Sequence, residues 1–246
     1  MRNMWSSSVV GLALATLCAL AAAQTAPRSV AVISELGREI RVIYYEPQTG
    51  SRTANNRVDR LATTTRAFDR AALFAAQRAI VKADPAAKVL LVSPLDADVF
   101  DMLQSAVAGT SVAIPADIAG DLKAQGQTHL LLFTRHRANI VAKSFDGTNL
   151  ATGQADGLGF YVDRTELIRN VTKGQSDIGF YAPFVHARAA LIELASGKIV
   201  RTATMVFADP IPVAGTSLGT DDQLRILGKI LSDQVEASVP ALLAPK

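Results

Sequence analysis

The pattern of apolar and polar positions predicts several strands in the first half of the chain. Residues 29–34 and 39–46 are rich in Val, Ile and Tyr, and Gly37 between them predicts a turn or bulge. Residues 88–93 form a short apolar run that ends at a proline, which is typical of a strand buried on both faces. Residues 128–144 give the strongest strand prediction in the middle of the chain.

Helical periodicity appears in four other segments. Residues 68–82 lack Gly and Pro and place apolar side chains on one face, which predicts an amphipathic helix. Shorter helices are predicted at 96–107 and 115–125. From residue 220 onward, a capping box predicts the start of a long helix. The capping residues are Thr220 and Gln223, and the apolar face comprises Leu224, Leu227, Leu231, Val235 and Val239.

Two segments lack a clear period. Residues 47–65 are polar, and we interpret them as a long arm. Residues 146–183 are rich in glycine and aromatic residues and are interpreted as an irregular insertion. Strands at 184–194 and 198–207 follow, and Gly197 supplies the tight turn of a hairpin between them. The order of elements predicts a single α+β domain over residues 24–246, with a mixed or antiparallel sheet and helices packed mainly on one face.

The first residues have the features of a secretory signal peptide. Arg2 is followed by an apolar run from Val9 to Ala22 and by small residues up to Ala23. The apolar run is too short for a permanent membrane span. Cys18 does not fit a lipoprotein signal, because the residue before it is the bulky Leu17, whereas a lipoprotein signal has a small residue there. We therefore expect cleavage near Ala23 and a periplasmic or secreted protein without a stable membrane anchor.

Composition excludes several kinds of site after cleavage. Removal of residues 1–23 takes away the only cysteine, which excludes disulfides, cysteine nucleophiles and Cys-ligated zinc. It also takes away Arg2, so that Lys and Arg fall from 25 to 24 against 22 Asp and Glu. This near balance does not favour nucleic acid as a partner. The one basic stretch, at residues 51–78, is either a solvated face or a surface for an anion or acidic partner. Its arginines are Arg52, Arg57, Arg60, Arg66, Arg70 and Arg78.

Catalytic and metal motifs are incomplete. Residues 215–219 have the spacing of a nucleophile elbow around Ser217, but the histidine that should follow it is missing, since the last histidine is His186. The three histidines form no metal-binding motif. We therefore predict no catalytic residue, no metal site and no cofactor.

Two groups of residues are candidates for binding. Arg135, Arg137, Arg188 and Arg201 lie on strands expected to be neighbours, where arginines projecting from one face could grip an anion. The alternative is an exposed polar sheet face. The second group is the aromatic set Phe160, Tyr161, Phe180 and Tyr181, which could contact a partner or a sugar. The alternative favoured here is that these rings close one end of the core.

Two segments carry a resemblance to known proteins. The strand Thr-His-Leu-Leu-Leu-Phe at 128–133 follows a helix, and the hairpin at 190–200 turns through Ser-Gly between apolar strands. In this order the elements from Phe68 to the C-terminus resemble the periplasmic domains related to CsgG of curli secretion, the synthase activator LpoB and the N-terminal domain of TolB. The resemblance implies a partner-binding or assembly role and carries over no active-site residue.

These observations predict an exported, non-enzymatic binding or assembly accessory protein of the bacterial cell envelope. Its expected partner is an envelope protein or an anionic envelope component. The alternatives are a secreted serine-type hydrolase and a binder of glycans or small ligands that uses the aromatic segment.

Overall fold

The computed structural model describes residues 29–46, 56–63, 65–93, 103, 112, 114–143, 147–151, 153–170, 175–212 and 220–244, with the backbone alone at 166–170, 175–178, 212 and 220. The predicted signal peptide at 1–23 lies outside these residues, as does Ser217. Of the helix predicted at 96–107, Leu103 alone is described.

Ten strands and three helices lie within the described residues. The helices are α1 (Ala67–Ala83), α2 (Ala116–Ala124) and α3 (Thr220–Leu243). The first six strands are β1 (Ser29–Glu35), β2 (Glu39–Tyr44), β3 (Arg57–Ala62), β4 (Lys88–Val92), β5 (His129–Arg135) and β6 (Arg137–Asn139). The last four are β7 (Gln154–Asn170), β8 (Gln175–Glu193), β9 (Ile199–Ala208) and β10 (Ile211–Pro212).

The strands form one curled mixed sheet in the order β3-β2-β7-β8-β5-β1-β4. The strands β9 and β10 pair with β8, and β6 pairs with β7. β1 runs parallel to β4 and β5, and β2 runs parallel to β7, whereas the other pairs are antiparallel. Together with the helices, this sheet confirms the predicted α+β class.

The core divides between the two faces of the sheet because neighbouring side chains of a strand point to opposite sides. Val30 and Val32 of β1 pack with Leu131 of β5 and with α1 and α3. Ala31 and Ile33 point to the other face, in a cluster that includes Leu122 of α2. A third cluster, built around Tyr161 and Phe184, lies beside the second on that face of β8.

Three of the predicted helices are confirmed, and α2 (Ala116–Ala124) is the one predicted at 115–125. In α1 the predicted face is buried, with Phe68 4% exposed and Ala72 fully buried. α3 begins at Thr220 as its capping residues predict. Its apolar face packs on the sheet and on α1. The side chains of Leu227, Leu231, Val235 and Val239 in that face are fully buried.

The segments interpreted as arm and insertion contain regular structure. Within the arm, residues 57–62 form β3, which pairs antiparallel with β2; residues 47–55 are outside the described part. The insertion is largely the hairpin of β7 and β8, which keeps its antiparallel pairing from Gly157–His186 to Asn170–Gln175 with one irregularity. β3 and β7 lack the strict alternation of apolar and polar residues that predicts a strand. β3 is exposed on both faces, and glycines interrupt β7.

Two strand predictions differ in detail from the structure. The long strand predicted at 128–144 breaks at His136 into β5 and β6, which pair with different neighbours. β4 is partly exposed instead of buried on both faces, because its one partner among the described strands is β1. None of the helices in the described ranges is both long and apolar enough to cross a membrane.

Candidate functional site

A charged cleft of about 550 Å³ lies where β1 ends and the chain turns into β2. β3, the start of α1 and the end of β5 complete its walls. We name it the arginine cleft. Its lining residues are Glu35, Gly37, Arg38, Glu39, Arg41, Arg60, Ala62, Arg66, Asp69 and Arg135.

Arg135 anchors the turn between β1 and β2. Its Nε donates to the Leu36 carbonyl oxygen at 2.7 Å, and its Nη1 lies 3.1 Å from Glu39 Oε1. The side chain is 13% exposed. Arg135 is therefore a fixed wall of the cleft rather than a mobile surface arginine.

Two glycines leave the space that Arg135 occupies. Gly37 has a φ of 90°, and a Cβ placed there would collide with the Arg135 guanidinium. Gly157 of β7 has a φ of 79°, and a Cβ there would lie 3.1 Å from Arg135 Cδ. Both backbone conformations strain residues that carry a side chain. The two glycines thus permit the turn and the position of the arginine together.

A pair of buried carboxyl groups lies at the inner end of the arginine cleft. Glu35 is fully buried and Asp69 is 2% exposed. Asp69 Oδ1 accepts hydrogen bonds from the Ser34 hydroxyl and the Leu36 amide, both at 2.8 Å. These bonds attach the first turn of α1 to the end of β1.

Burial changes the protonation of both acids. It raises the pKa of Glu35 to about 7, with a further increase from the Asp69 charge and an opposing effect from Arg66. Burial also raises the pKa of Asp69, although the hydrogen bonds from Ser34 and Leu36 and the Arg66 charge act in the opposite direction. Glu35 is therefore partly protonated at neutral pH, which reduces the negative charge at the inner end.

Arg66 has unused hydrogen-bonding capacity. This residue precedes α1, and its Nη1 is buried without a hydrogen-bond partner among the described residues. Asp69 Oδ2 is likewise buried and without a hydrogen bond in the described part of the chain. Arg38 and Arg60 are exposed at the mouth of the cleft. The cleft thus presents guanidinium donors that the described residues do not fully engage.

The balance of charge in the cleft is positive. Its lining contains five arginines and three acids, namely Glu35, Glu39 and Asp69. Glu39 is paired with Arg135, and Arg41 lies 3.0 Å from Asp156. Within the described part of the chain, Arg38, Arg60 and Arg66 form no ion pair. A guanidinium binds carboxylate or phosphate through a planar fork of donors, so this arrangement is suited to an anionic group.

The four arginines predicted as one grip are distributed over the molecule. Arg135 lines the arginine cleft, whereas Arg137 on β6 is exposed in a different depression. Arg188 pairs with Thr134 and therefore projects from the face opposite Arg135. Arg201 donates from Nη1 to the Ala241 carbonyl oxygen of α3 at 2.9 Å. Strand pairing separates these residues, because their faces depend on registers that the sequence does not give.

The four aromatic candidates lie in the core. Phe160 and Tyr181 pack in the cluster under α1 and α3, whereas Tyr161 and Phe180 pack in the cluster on the other face. None of the four is more than 9% exposed. Their rings cannot contact a partner in this conformation, in agreement with the alternative favoured from the sequence.

The sequence indicates only some of the residues that line the arginine cleft. Arg60 and Arg66 belong to the predicted basic stretch, and Arg135 is one of the four predicted binding arginines. Glu35 and Asp69 were missed. Each is a charged residue next to strongly apolar positions, at the end of β1 and beside Phe68 on α1. A charge at such a position is rarely buried without a partner, and this signal could have identified both acids.

Comparison with known proteins identifies no relative by sequence. No protein-family model matches the chain, and no curated protein matches it.

Solved structures with a similar arrangement are distant from this chain. A PelC dodecamer from Paraburkholderia phytofirmans is 12% identical, with 91% of this chain and 93% of that chain covered and a TM-score of 0.34. A putative neuraminyllactose-binding hemagglutinin homolog from Helicobacter pylori is 9% identical, with coverage of 89% and 87% and a TM-score of 0.40. Lipoprotein GNA1162 from Neisseria meningitidis is 11% identical, with coverage of 84% and 97% and a TM-score of 0.27.

These three structures come from bacteria, and one is a lipoprotein. None of them is CsgG, LpoB or TolB, so that resemblance stays a prediction. At TM-scores below 0.5 these similarities support no functional argument for this chain.

Proposed function

We propose that this protein is an exported, non-enzymatic binding protein of the bacterial cell envelope that holds an anionic group of its partner in the arginine cleft. The observation that supports the proposal most directly is the set of Arg38, Arg60 and Arg66 around one opening, where Arg38 and Arg60 are exposed. Their guanidinium groups can donate hydrogen bonds to an incoming carboxylate or phosphate.

The rigid inner wall favours binding by a preformed site. Arg135 and Glu39 hold the turn in place, and Asp69 fixes the start of α1. A ligand that enters such a site loses its own freedom but does not have to order these elements, which lowers the cost of binding. The exported location rests on the predicted signal peptide.

Two double variants, each of two exposed arginines, test the proposal. Arg38→Gln with Arg60→Gln removes two guanidinium groups from the cleft, and Arg70→Gln with Arg78→Gln removes two from the exposed side of α1. Both double variants change the net charge equally. Binding of citrate and of inorganic phosphate is measured by isothermal titration calorimetry at about 0.15 M salt, where the attraction of distant charges is screened.

We expect citrate affinity to fall about tenfold or more in the cleft variant, which corresponds to loss of roughly one charge-assisted contact of 1.4 kcal/mol. The α1 variant should stay within about twofold of the unmodified protein, since long-range charge alone is weakly felt in water. Equal losses in both double variants, or no binding of either anion by the unmodified protein, would refute the proposed site.

A second candidate function rests on the acid pair. A carboxyl group with a raised pKa beside another acid is a common arrangement for general acid catalysis, and Glu35 has a pKa of about 7 next to Asp69. The hydrolase that this arrangement would suit uses Glu35 as proton donor. Full burial of Glu35 opposes that role. Turnover of a panel of glycosides that is abolished by Glu35→Gln would favour the hydrolase over the binding protein.

A further inference from the structure

A second depression lies along the same face of the β2–β3 ribbon as the arginine cleft. The antiparallel register stacks three successive pairs on that face: Glu39 with Ala62, Arg41 with Arg60, and Ile43 with Val58. The first two pairs line the arginine cleft, and the third lines the second depression. Four residues of a strand span roughly 13 Å, so one extended ligand can occupy both.

The walls of this second depression are rich in side-chain amides. Its volume is about 480 Å³, and we name it the amide cleft for Asn56, Asn139, Asn149 and Gln154 in its lining. A carboxamide offers both a donor and an acceptor, which matches an uncharged polar side chain of a bound peptide. The amide cleft is therefore suited to neutral, polar side chains rather than to a second anion.

The apolar part of the amide cleft is aliphatic. Ile43, Val58 and Ile140 contribute to it, and Val58 is 48% exposed. Aromatic side chains, which commonly stack on sugar rings, are absent from its lining within the described residues. An aliphatic floor favours an aliphatic side chain of a peptide over a pyranose ring.

β3 forms one edge of the sheet within the described part of the chain. Among the described strands β3 pairs with β2 alone, and its side chains are exposed on both faces. An edge strand presents unpaired backbone N–H and C=O groups that accept an additional strand. The backbone of an incoming peptide can thus be bound by the edge of β3 while its side chains reach the two clefts.

We propose that the ligand of the arginine cleft is an extended acidic polypeptide segment that adds to the edge of β3, with an acidic side chain opposite Arg60 and an aliphatic one opposite Val58. This inference rests on the proposed anion-binding function. Arg60 and Val58 are two residues apart on one face, and cross-strand neighbours in a sheet lie directly opposite each other. The recognised pattern is therefore an acidic and an aliphatic residue separated by one position.

Two peptides of identical composition test the spacing. In the first, acetyl-Thr-Thr-Glu-Thr-Leu-Thr-Thr-amide, Glu and Leu are two positions apart and share a face. In the second, acetyl-Thr-Thr-Glu-Leu-Thr-Thr-Thr-amide, they are adjacent and face opposite sides. Fluorescence anisotropy of labelled peptides measures their affinities, and citrate binding is measured in parallel. We expect the first peptide to bind at least about fivefold more tightly than the second.

A matched pair of variants tests the face of β3. Val58→Asp and Leu61→Asp introduce the same charge at similarly exposed positions, since Val58 is 48% and Leu61 45% exposed. The two side chains lie on opposite faces of β3, because their partners Ile43 and Ile40 are three positions apart on β2. Val58→Asp should abolish the preference for the first peptide, and Leu61→Asp should preserve it.

The outcomes separate this inference from the proposed function. Citrate binding without any preference between the peptides overturns the peptide inference and leaves the anion site standing. Failure of citrate and of both peptides to bind removes both. A galacturonate oligomer that binds more tightly than the first peptide and is weakened by Val58→Asp would identify an acidic polysaccharide instead, and would also overturn the inference.

Discussion

At the scale of single residues, Gly37 and Arg135 depend on each other. The arginine reaches across the turn to the Leu36 carbonyl oxygen and Glu39, and it can do so because no side chain stands at position 37. Neither residue has a distinctive sequence neighbourhood. The two residues are 98 positions apart in the chain, and the parallel pairing of β1 with β5 brings them together.

Replacement of Gly37 tests this dependence. Gly37→Ala should lower the free energy of unfolding by about 1–3 kcal/mol, because alanine is strained at positive φ and its methyl group collides with the guanidinium. Gly120→Ala on α2 is the control, since a Cβ there meets nothing within 4 Å. Urea denaturation gives both values. If the collision with the guanidinium destabilises Gly37→Ala, the double variant with Arg135→Ala loses less unfolding free energy than the two single variants lose together.

The buried acid pair makes stability depend on pH. Glu35 has a pKa of about 7 in the folded protein and an ordinary value of 4.5, so the folded state holds its proton more tightly. The stability associated with protonated Glu35 is fully present below pH 4.5 and is lost as the pH rises through about 7. Asp69 acts in the same direction, because burial raises its pKa as well.

Glu35→Gln removes this titration while it keeps the shape of the side chain. Burial lowers the pKa of His136 and His186, which makes stability rise with pH in both proteins, so the variant is the reference. Between pH 5 and pH 8 the free energy of unfolding of the unmodified protein should decrease relative to that of the variant. Chemical denaturation at intervals across this range measures the two slopes. Parallel slopes would mean that Glu35 does not hold its proton in the folded protein.

At the scale of elements, the helices were the most predictable part of the fold. In α1 and α3 the apolar residues recur with helical spacing, and each helix buries that face against the sheet. Strands with weaker patterns were harder to predict. β3 has the sequence Arg-Val-Asp-Arg-Leu-Ala and is exposed on both faces, so alternation is lost, and its formation depends on pairing with β2.

The buried face of α3 offers a test at this scale. Leu231 is fully buried, and Leu231→Ala should cost about 2–5 kcal/mol of unfolding free energy through lost burial and a cavity. Gly228→Ala on the same helix should instead gain about 0.5–1 kcal/mol, since alanine favours the helix and a Cβ there meets nothing within 4 Å. Urea titrations of the two variants should therefore shift in opposite directions. A neutral Leu231→Ala would place this face of α3 away from the core.

At the scale of the whole molecule, the arginine cleft could not be predicted from the sequence. Its residues come from the turn after β1, from β3, from α1 and from β5, which pairing and packing bring together. The sequence indicated three of its five arginines, Arg60 and Arg66 through the basic stretch and Arg135 as a candidate for binding. It did not indicate which arginines would share an opening with Glu35 and Asp69, because strand order and register are set by long-range contacts.

The same long-range contacts should make the protein unfold as one unit. β8 contributes to all three hydrophobic clusters, with Leu191 in the first, Ile192 in the second and Phe184 in the third. Loss of any one cluster therefore exposes apolar surface of a strand that the other two need.

We expect melting curves from helix ellipticity at 222 nm and from near-ultraviolet tyrosine signals to coincide. Tyr161 and Tyr181 report on different faces of the sheet, whereas the ellipticity reports mainly on α1 and α3. Leu231→Ala should lower both transitions by the same amount, although it touches the first cluster alone. A tyrosine signal that persists after the helices have melted would show that the second and third clusters hold the sheet without the helical layer.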